Sequence, residues 1–307
     1  MTHPTEHVLS VSLGSPTRDY HFEWQQDGRT FLVERRGVVG GVMAAVKTIR
    51  EMRDTVACFG VGGTDIYLGP IEANLITKEG KLMVPAAGST RMVDGGAIKH
   101  SQEERLIEWL IANRPDIPIA GQPTLMPCGM DRFGMARALE AAGNSMVYGD
   151  LVFMTAQTPR VFTRLADLLE TAKTIWDLFA KLGTSLSYPI GEKQNQPPEE
   201  KYPEYYHDAK VIAGDLLIIR RNMPKDLRGK VIITNTVTVE NRQEFRDRGV
   251  RWLITSTPSF EGRSIATNML EALLVTLLNK HPRDIEPAEY LAMIDRCQLG
   301  PHIERLN

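Results

Sequence analysis

TLMPCGMDRFGMARALEAAGNSMVYGD, residues 124 to 150, decides how this chain is read. A short apolar run enters a turn, a helical pattern follows, and a second apolar run closes on Asp150. That is the strand–turn–helix–strand order of a dinucleotide-binding unit. In the G-x-G-x-x-G fingerprint the first glycine makes the turn. The second lets the backbone approach a pyrophosphate, and the third lets the helix pack closely. Gly129 and Gly134 hold the outer positions, and Asp131 stands where the middle glycine would be. A carboxylate there opposes a pyrophosphate, and Arg132 is placed to offset it. Asp150, 21 residues after Gly129, fits the acidic residue that holds a ribose hydroxyl. The same letters also fit a plain strand, turn and helix, with Asp131 as an N-cap and Asp150 merely ending a strand.

The rest of the chain sets the context. With 307 residues, it is most easily built as two domains, each able to bury its own core. Net charge is −2, so no basic face is implied and nucleic acid is not an expected partner. No apolar run reaches the ~18 residues of a membrane span, and MTHPTEHVLSVSLGS lacks a signal pattern. A cytoplasmic protein with no membrane partner is therefore expected. Cys58, Cys128 and Cys297 lie far apart, which suits buried thiols in a reducing compartment. The histidines show no paired ligand spacing, so no metal site is expected.

The first third mixes element types. HVLSVSL (7–13) alternates like a strand, HFEWQ (21–25) and TFLVER (30–35) flank the turn pair Asp27-Gly28, and 40–53 has helical spacing. VACFG (56–60) reads as a buried strand, and NLITKEGKLMV as a hairpin turning at Glu79-Gly80. Ser101 and Glu104 form a capping-box pattern ahead of a helix that stops at Pro115. Beyond 121 the pattern is regular. Strands at 124–128, 145–153, 210–215, 230–237 and 252–257 alternate with helices at 131–142, after Thr158-Pro159, and at 262–279 and 286–297. The expected fold is α/β: a doubly wound parallel-sheet (Rossmann-like) domain over 121–307, preceded by a smaller mixed α/β domain over 1–120. The C-terminal helices are free in this reading to pack back on the first domain.

Motifs along most of the chain resemble a family of bacterial proteins known as quinate 5-dehydrogenases. They are VSLGS (11–15), FGVGGTDIYL (59–68), DRFGMARALEAAG (131–143), YGDLVF (148–153), YPIGEKQ (188–194), DAKVIAGD (208–215), IIRRNMP (218–224), KVIITNTVT (230–238) and GRSIATNMLEALL (262–274). The resemblance implies oxidation of a ring hydroxyl of a small polyhydroxylated acid, quinate- or shikimate-like, with NAD, or alternatively NADP, as cofactor. The lysine and later aspartate that known shikimate and quinate dehydrogenases pair in their first domain are not found here in the same form.

That chemistry needs a base or proton relay beside the hydroxyl. Lys193, in a polar, proline-broken run (191–206) with the composition of a mobile lid, is one candidate. Lys99, after Asp94 and Gly95-Gly96, is the other. Asp65, in the glycine-rich loop GVGGTDIYLG, is placed to orient a lysine or bind hydroxyls. At strand ends, Asp215, Arg220-Arg221, Asn235 and Thr236 are candidate cofactor contacts. Gly262, Arg263 and Ser264 read as an anion-binding start to a long apolar helix. Surface or capping roles stand as the alternative for each. The leading expectation is thus an NAD(P)-dependent oxidoreductase, with a homodimer allowed. The other classes are a Rossmann-like ligand-binding or regulatory protein, or a non-redox enzyme, taking a nucleotide or phosphorylated metabolite.

Overall fold

The computed structural model describes residues 4–68, 75–154, 160–182 and 191–307. Along the chain, β1 (Glu6–Ser12) is followed by the hairpin β2 (Tyr20–Gln26) and β3 (Arg29–Gly37). Asp27 and Gly28 turn it with φ of 53° and 74°, the positive values a tight two-residue turn demands. Next come α1 (Gly41–Met52), β4 (Cys58–Gly62), and two short strands, β5 (Tyr67–Leu68) and β6 (Leu75–Ile76), which pair antiparallel. The hairpin expected at Glu79-Gly80 is absent: these residues open the helix α2 (Lys78–Ala87). The Thr77 hydroxyl caps it by accepting from the Gly80 amide at 2.9 Å. A Cβ on Gly80 would stand 2.7 Å from the Ile66 carbonyl oxygen, so glycine is there for space and not for a turn.

β7 (Arg91–Val93), α3 (Gly96–His100) and α4 (Gln102–Asn113) follow. Ser101 is the N-cap of α4 but makes no side-chain cap bond, so the expected capping box does not form. β8 (Pro123–Met126), α5 (Phe133–Ala141) and β9 (Ser145–Tyr148) are the elements of the opening stretch. The strand expected to reach 153 stops at Tyr148, and Asp150–Met154 is a π-helical turn. α6 (Leu165–Leu182), α7 (Pro203–Asp208), β10 (Val211–Ala213), α8 (Leu216–Asn222), β11 (Val231–Thr234), α9 (Val239–Asp247) and β12 (Trp252–Thr255) come next. The chain ends with the hairpin β13 (Ser259–Phe260) and β14 (Arg263–Ser264), then α10 (Thr267–Leu278), α11 (Pro287–Arg296) and β15 (His302–Arg305). The start at Thr158-Pro159 lies outside the described residues.

These elements form two units divided differently from the 1–120 and 121–307 expectation. The first comprises 1–98, 177–195 and 266–299; the second comprises 99–176, 196–265 and 300–307. In the first unit the sheet order is β2-β3-β1-β4-β7, parallel except for β2 at its edge. Leu9, Val11, Phe59 and Val61 share a core with Ala45, Val46 and Ile49 of α1. On the other face Ser10 meets Asn268 of α10, whose residues from Thr267 to Thr276 are all buried. That apolar helix completes the first unit, which is why the C-terminal helices leave the unit that precedes them in sequence.

In the second unit the order is β15-β12-β11-β10-β8-β9, parallel except for β15. VIIT and WLIT are buried throughout, as strands covered on both faces must be. The chain starts at β8, steps out to β9, then returns past β8 to β10. Strand order therefore reverses between β8 and β10, and the crevice at their carboxyl ends is where doubly wound sheets bind ligands.

α5 meets the end of α3 closely through Gly134. A Cβ there would stand 2.8 Å from the Lys99 carbonyl oxygen and 3.1 Å from that of His100. Gly134→Ala should therefore destabilise the protein by about 1–3 kcal/mol through overpacking. Urea unfolding that left the midpoint unmoved would show that this contact can relax.

Candidate functional site

The loop after β8 folds around its own carboxylate. Asp150 accepts from the Gly129 amide at 2.9 Å, the Met130 amide at 3.0 Å and the Cys128 thiol at 3.5 Å. It is buried. Burial pushes its pKa up against the lowering effect of the two amides, and burial likewise raises the Cys128 thiol. The assignment of Asp150 to a ribose is thereby corrected, because its oxygens are spent on the very amides a pyrophosphate would need. Gly129 is glycine because a Cβ would lie 2.7 Å from the Tyr148 ring. Gly134 serves the contact with α3 instead of a contact with a cofactor or the sheet.

Asp131 is not the N-cap of α5. Arg132 holds that position and makes no side-chain cap bond. Asp131 Oδ1 accepts from Lys99 Nζ at 2.7 Å, and its Oδ2 from Arg132 Nε at 2.8 Å. The offsetting role read for Arg132 is thus present, and it extends further. Arg132 Nη1 donates to Glu103 Oε1 at 2.6 Å and Nη2 to Asp215 Oδ2 at 3.0 Å. Ser256, after β12, donates to the same Glu103 oxygen at 2.9 Å. Asn235, after β11, donates to Asp215 at 3.1 Å and accepts from the Leu216 amide at 3.0 Å.

One guanidinium therefore ties together the loops that follow β8, β10, β11 and β12 at the switch point, with α4 behind them. Arg132 is 2% exposed and Glu103 wholly buried, whereas Lys99 and Asp215 keep 12% and 13% of their side-chain surface in contact with solvent. Burial raises the Glu103 pKa, opposed by Arg132 and Ser256. The Lys99–Asp131 contact is an amine and a carboxylate at the accessible margin of a rigid network. Such a pair can hydrogen-bond a ligand hydroxyl from both sides and move its proton.

The amides at this crevice are largely taken. Asp215 caps α8 by accepting from the Leu217 amide at 2.9 Å, and Asn235 takes that of Leu216. Asn235 is thus a staple between loops, not a cofactor contact. Thr236 is half-buried beside it. Arg220 pairs with Glu244 at 2.6 Å and donates to the Gln196 carbonyl. Arg263 and Ser264 form β14, and α10 begins only at Thr267, so the anion-binding helix start is not there.

Lys193 is exposed on a 3₁₀ turn, Glu192–Asn195, in the first unit. The run 191–206, expected to be a mobile lid, makes several contacts. Gln194 is buried and accepts from the Ser15 amide at 3.4 Å. Asn195 donates to Thr17 Oγ1 at 3.1 Å, Glu199 bonds the Arg221 carbonyl at 3.0 Å, and Tyr206 is fully buried. Tyr188-Pro189 lies outside the described residues. Asp65 belongs to the first unit, where its carbonyl accepts from Thr77 Oγ1 at 2.7 Å. Within the second unit, the acid that Lys99 meets is Asp131.

Sequence reasoning passed over Glu103 and Ser256, one hidden in the charged run SQEER and the other in a strand end. It also passed over a second polar crest, in the first unit. There Ser10 donates to Asn268 at 2.7 Å, Ser12 accepts from Arg35 Nη2 at 3.0 Å, and Asp94 accepts the Ile66 and Gly96 amides at 2.7 and 3.0 Å. The signal was the polar face of LSVS (9–12), Ser10 and Ser12, in an otherwise apolar strand. Among the described residues, no group of three or more His, Cys, Asp or Glu side chains could hold a metal ion, and no helix is long and apolar enough to cross a membrane.

Residues 97–306 match a family described as a domain of unknown function, DUF8754, and residues 7–94 match the domain of unknown function DUF8753. The chain belongs to the DUF8754 family. No curated protein matches it. Solved structures to which it is similar include a sugar ABC transport substrate-binding protein from Bordetella parapertussis 12822. The two are 10% identical over 82% of this chain and 77% of that one, with a TM-score of 0.34. A galactofuranose-binding protein is also 10% identical, over 95% and 98%, with a TM-score of 0.34. Malic enzyme from Pyrococcus horikoshii Ot3 is 14% identical over 84% and 57%, with a TM-score of 0.32. Likeness at this level extends to no ligand and no reaction.

Arg132→Leu would strip a buried cation from three carboxylates, and should cost about 3–5 kcal/mol or prevent folding. Lys193→Ala, at an exposed position, should stay within about 0.5 kcal/mol of the parent. Equilibrium unfolding of the two variants side by side measures the contrast, and equal effects would remove the network from its central place.

Proposed function

We propose that this chain is a small-molecule-binding α/β protein whose ligand is a polyhydroxylated compound without a phosphate, met by Lys99 and Asp131 at the switch point. The observation that carries this reading is the state of the amides. Gly129 and Met130 are committed to Asp150, and Leu216 and Leu217 to Asn235 and Asp215. A pyrophosphate needs such groups free. An adjacent donor and acceptor suit hydroxyls instead.

A second reading keeps the NAD(P)-dependent oxidoreductase acting on a ring hydroxyl of a quinate- or shikimate-like acid. The Lys99–Asp131 contact favours it, since hydride removal requires a group to take the hydroxyl proton. In that case NAD or NADP binds without the amides of Gly129 and Met130.

Calorimetric titration separates the two. Neutral pentoses, hexoses and cyclitols should bind, and Lys99→Met should weaken the tightest of them at least tenfold while the circular dichroism spectrum is retained. NAD(H) and NADP(H) should give no heat. Dinucleotide binding together with quinate- or shikimate-dependent reduction would install the second reading. Silence from every polyhydroxylated compound at millimolar concentration would remove the first.

A further inference from the structure

We infer that the N-terminus of α10, in the first unit, is a binding site for the carboxylate group of a small organic acid. This site is independent of the ligand reading above.

The twelve-residue helix starts against the carboxyl ends of β1, β4 and β7, which are parallel neighbours in the first sheet. Three glycines let it come so close. A Cβ on Gly60 would stand 2.8 Å from the Asn268 carbonyl oxygen, and one on Gly95 would stand 2.6 Å from Thr267 Oγ1 and 2.8 Å from the Asn268 nitrogen. A Cβ on Gly62 would lie 3.1 Å from Ser12 Oγ and 3.2 Å from Asn268 Nδ2. A serine hydroxyl and a carboxamide therefore converge on one spot at the head of the helix.

The donors gathered there have no acceptor among the described residues. Ala266 is the N-cap and supplies no side-chain cap bond. The Met269 and Leu270 amides both turn back to the Ala266 carbonyl at 3.0 Å, which leaves the Thr267 and Asn268 amides without an acceptor. Asn268 Oδ1 is held by the Ser10 hydroxyl at 2.7 Å, and that bond fixes the carboxamide with Nδ2 directed at the Gly62 spot. Asn268 is 7% exposed and Thr267 3%. An unpaired donor at such depth is costly, and an acceptor brought to it is favoured by the same amount. Ala266, Gly63 and Asp94, the chain neighbours of these residues, are only half-buried, so the spot is within reach of solvent.

Charge selects the class of ligand. A helix start carries roughly half a positive charge, and the converging amides, hydroxyls and carboxamide are neutral donors. Arg35 adds a cation behind Ser12, donating to its Oγ at 3.0 Å, but is itself paired with Asp19 at 2.5 Å. The neighbouring acids are directed elsewhere. Asp94 accepts from the Ile66, Tyr67 and Gly96 amides, while Glu271, one turn into α10, interacts with Cys58 and Tyr290 toward the opposite end of β4. Such a field suits the single charge of a carboxylate. A phosphate, with close to two charges at neutral pH, is ordinarily met by lysine or arginine.

Titration of the full chain, labelled with ¹⁵N-asparagine and ¹⁵N-threonine, tests the site by nuclear magnetic resonance. Sodium acetate, lactate and succinate are added against sodium chloride at matched ionic strength. The backbone amides of Thr267 and Asn268 and the side-chain amide of Asn268 should shift saturably with at least one of the three acids. Inorganic phosphate and sulfate should act at least tenfold more weakly. Asn268→Asp keeps an oxygen for Ser10 and replaces the Nδ2 donor by a charge. It should abolish the response of the Thr267 amide while the melting temperature holds or rises, since an acid in the first turn favours the helix. If that variant does not fold, Thr267→Val, which removes one donor, should weaken binding several-fold. Resonances unmoved by all three acids in the tens-of-millimolar range, or shifts that chloride reproduces, would overturn the site. An undiminished response in Asn268→Asp, or in Thr267→Val where that variant stands in for it, would do the same. Phosphate binding as tight as that of the acids would overturn the carboxylate assignment.

Discussion

Arg132 is the constraint around which the second unit is arranged. Its planar guanidinium reaches Glu103, Asp131 and Asp215 at once, in the fork geometry that a lysine cannot reproduce. Each acid comes from a different segment. Burying the cation is tolerable only because all three donor nitrogens are satisfied, and the price is that none of these segments can move alone. A network of this kind contributes little net stability compared with apolar packing, but it is severe on any arrangement that leaves one member unpaired. It therefore specifies a single geometry for the crest of the sheet.

That geometry decides which chemistry remains available. In a doubly wound sheet the crevice at the switch point ordinarily presents free amides and a helix dipole to a phosphate. Here the amides turn inward to Asp150, Asp215 and Asn235. On the reading proposed above, a phosphate would not find those donors free. What stays at the margin is an amine in contact with a carboxylate. Glu103 stands behind Arg132, wholly buried.

The odd letter in the opening stretch illustrates how a local motif can mislead. Asp131 looks like a damaged phosphate loop when read beside Gly129 and Gly134, whose spacing is correct. All three residues have another cause. Gly129 makes room for the Tyr148 ring, Gly134 for the end of α3, and Asp131 binds a lysine 32 positions earlier. The spacing that marks a cofactor loop is also the spacing at which a strand, a turn and a helix pack against other elements.

Periodicity, turn chemistry and composition were enough for the α/β class, the parallel sheet of the second unit, the Asp27-Gly28 hairpin and the positions of most strands, because each depends on neighbours in the chain. Glu79-Gly80 was misread because a glycine chosen for space is spelled like one chosen for a turn. The discontinuous units, the docking of α10 on the first sheet, the contacts of the 191–206 run and the pairing of Lys99 with Asp131 depend on contacts between residues distant in sequence. A lysine's letter is the same whether its charge meets water or a carboxylate, and only the folded chain brings the carboxylate of Asp131 within 2.7 Å of it.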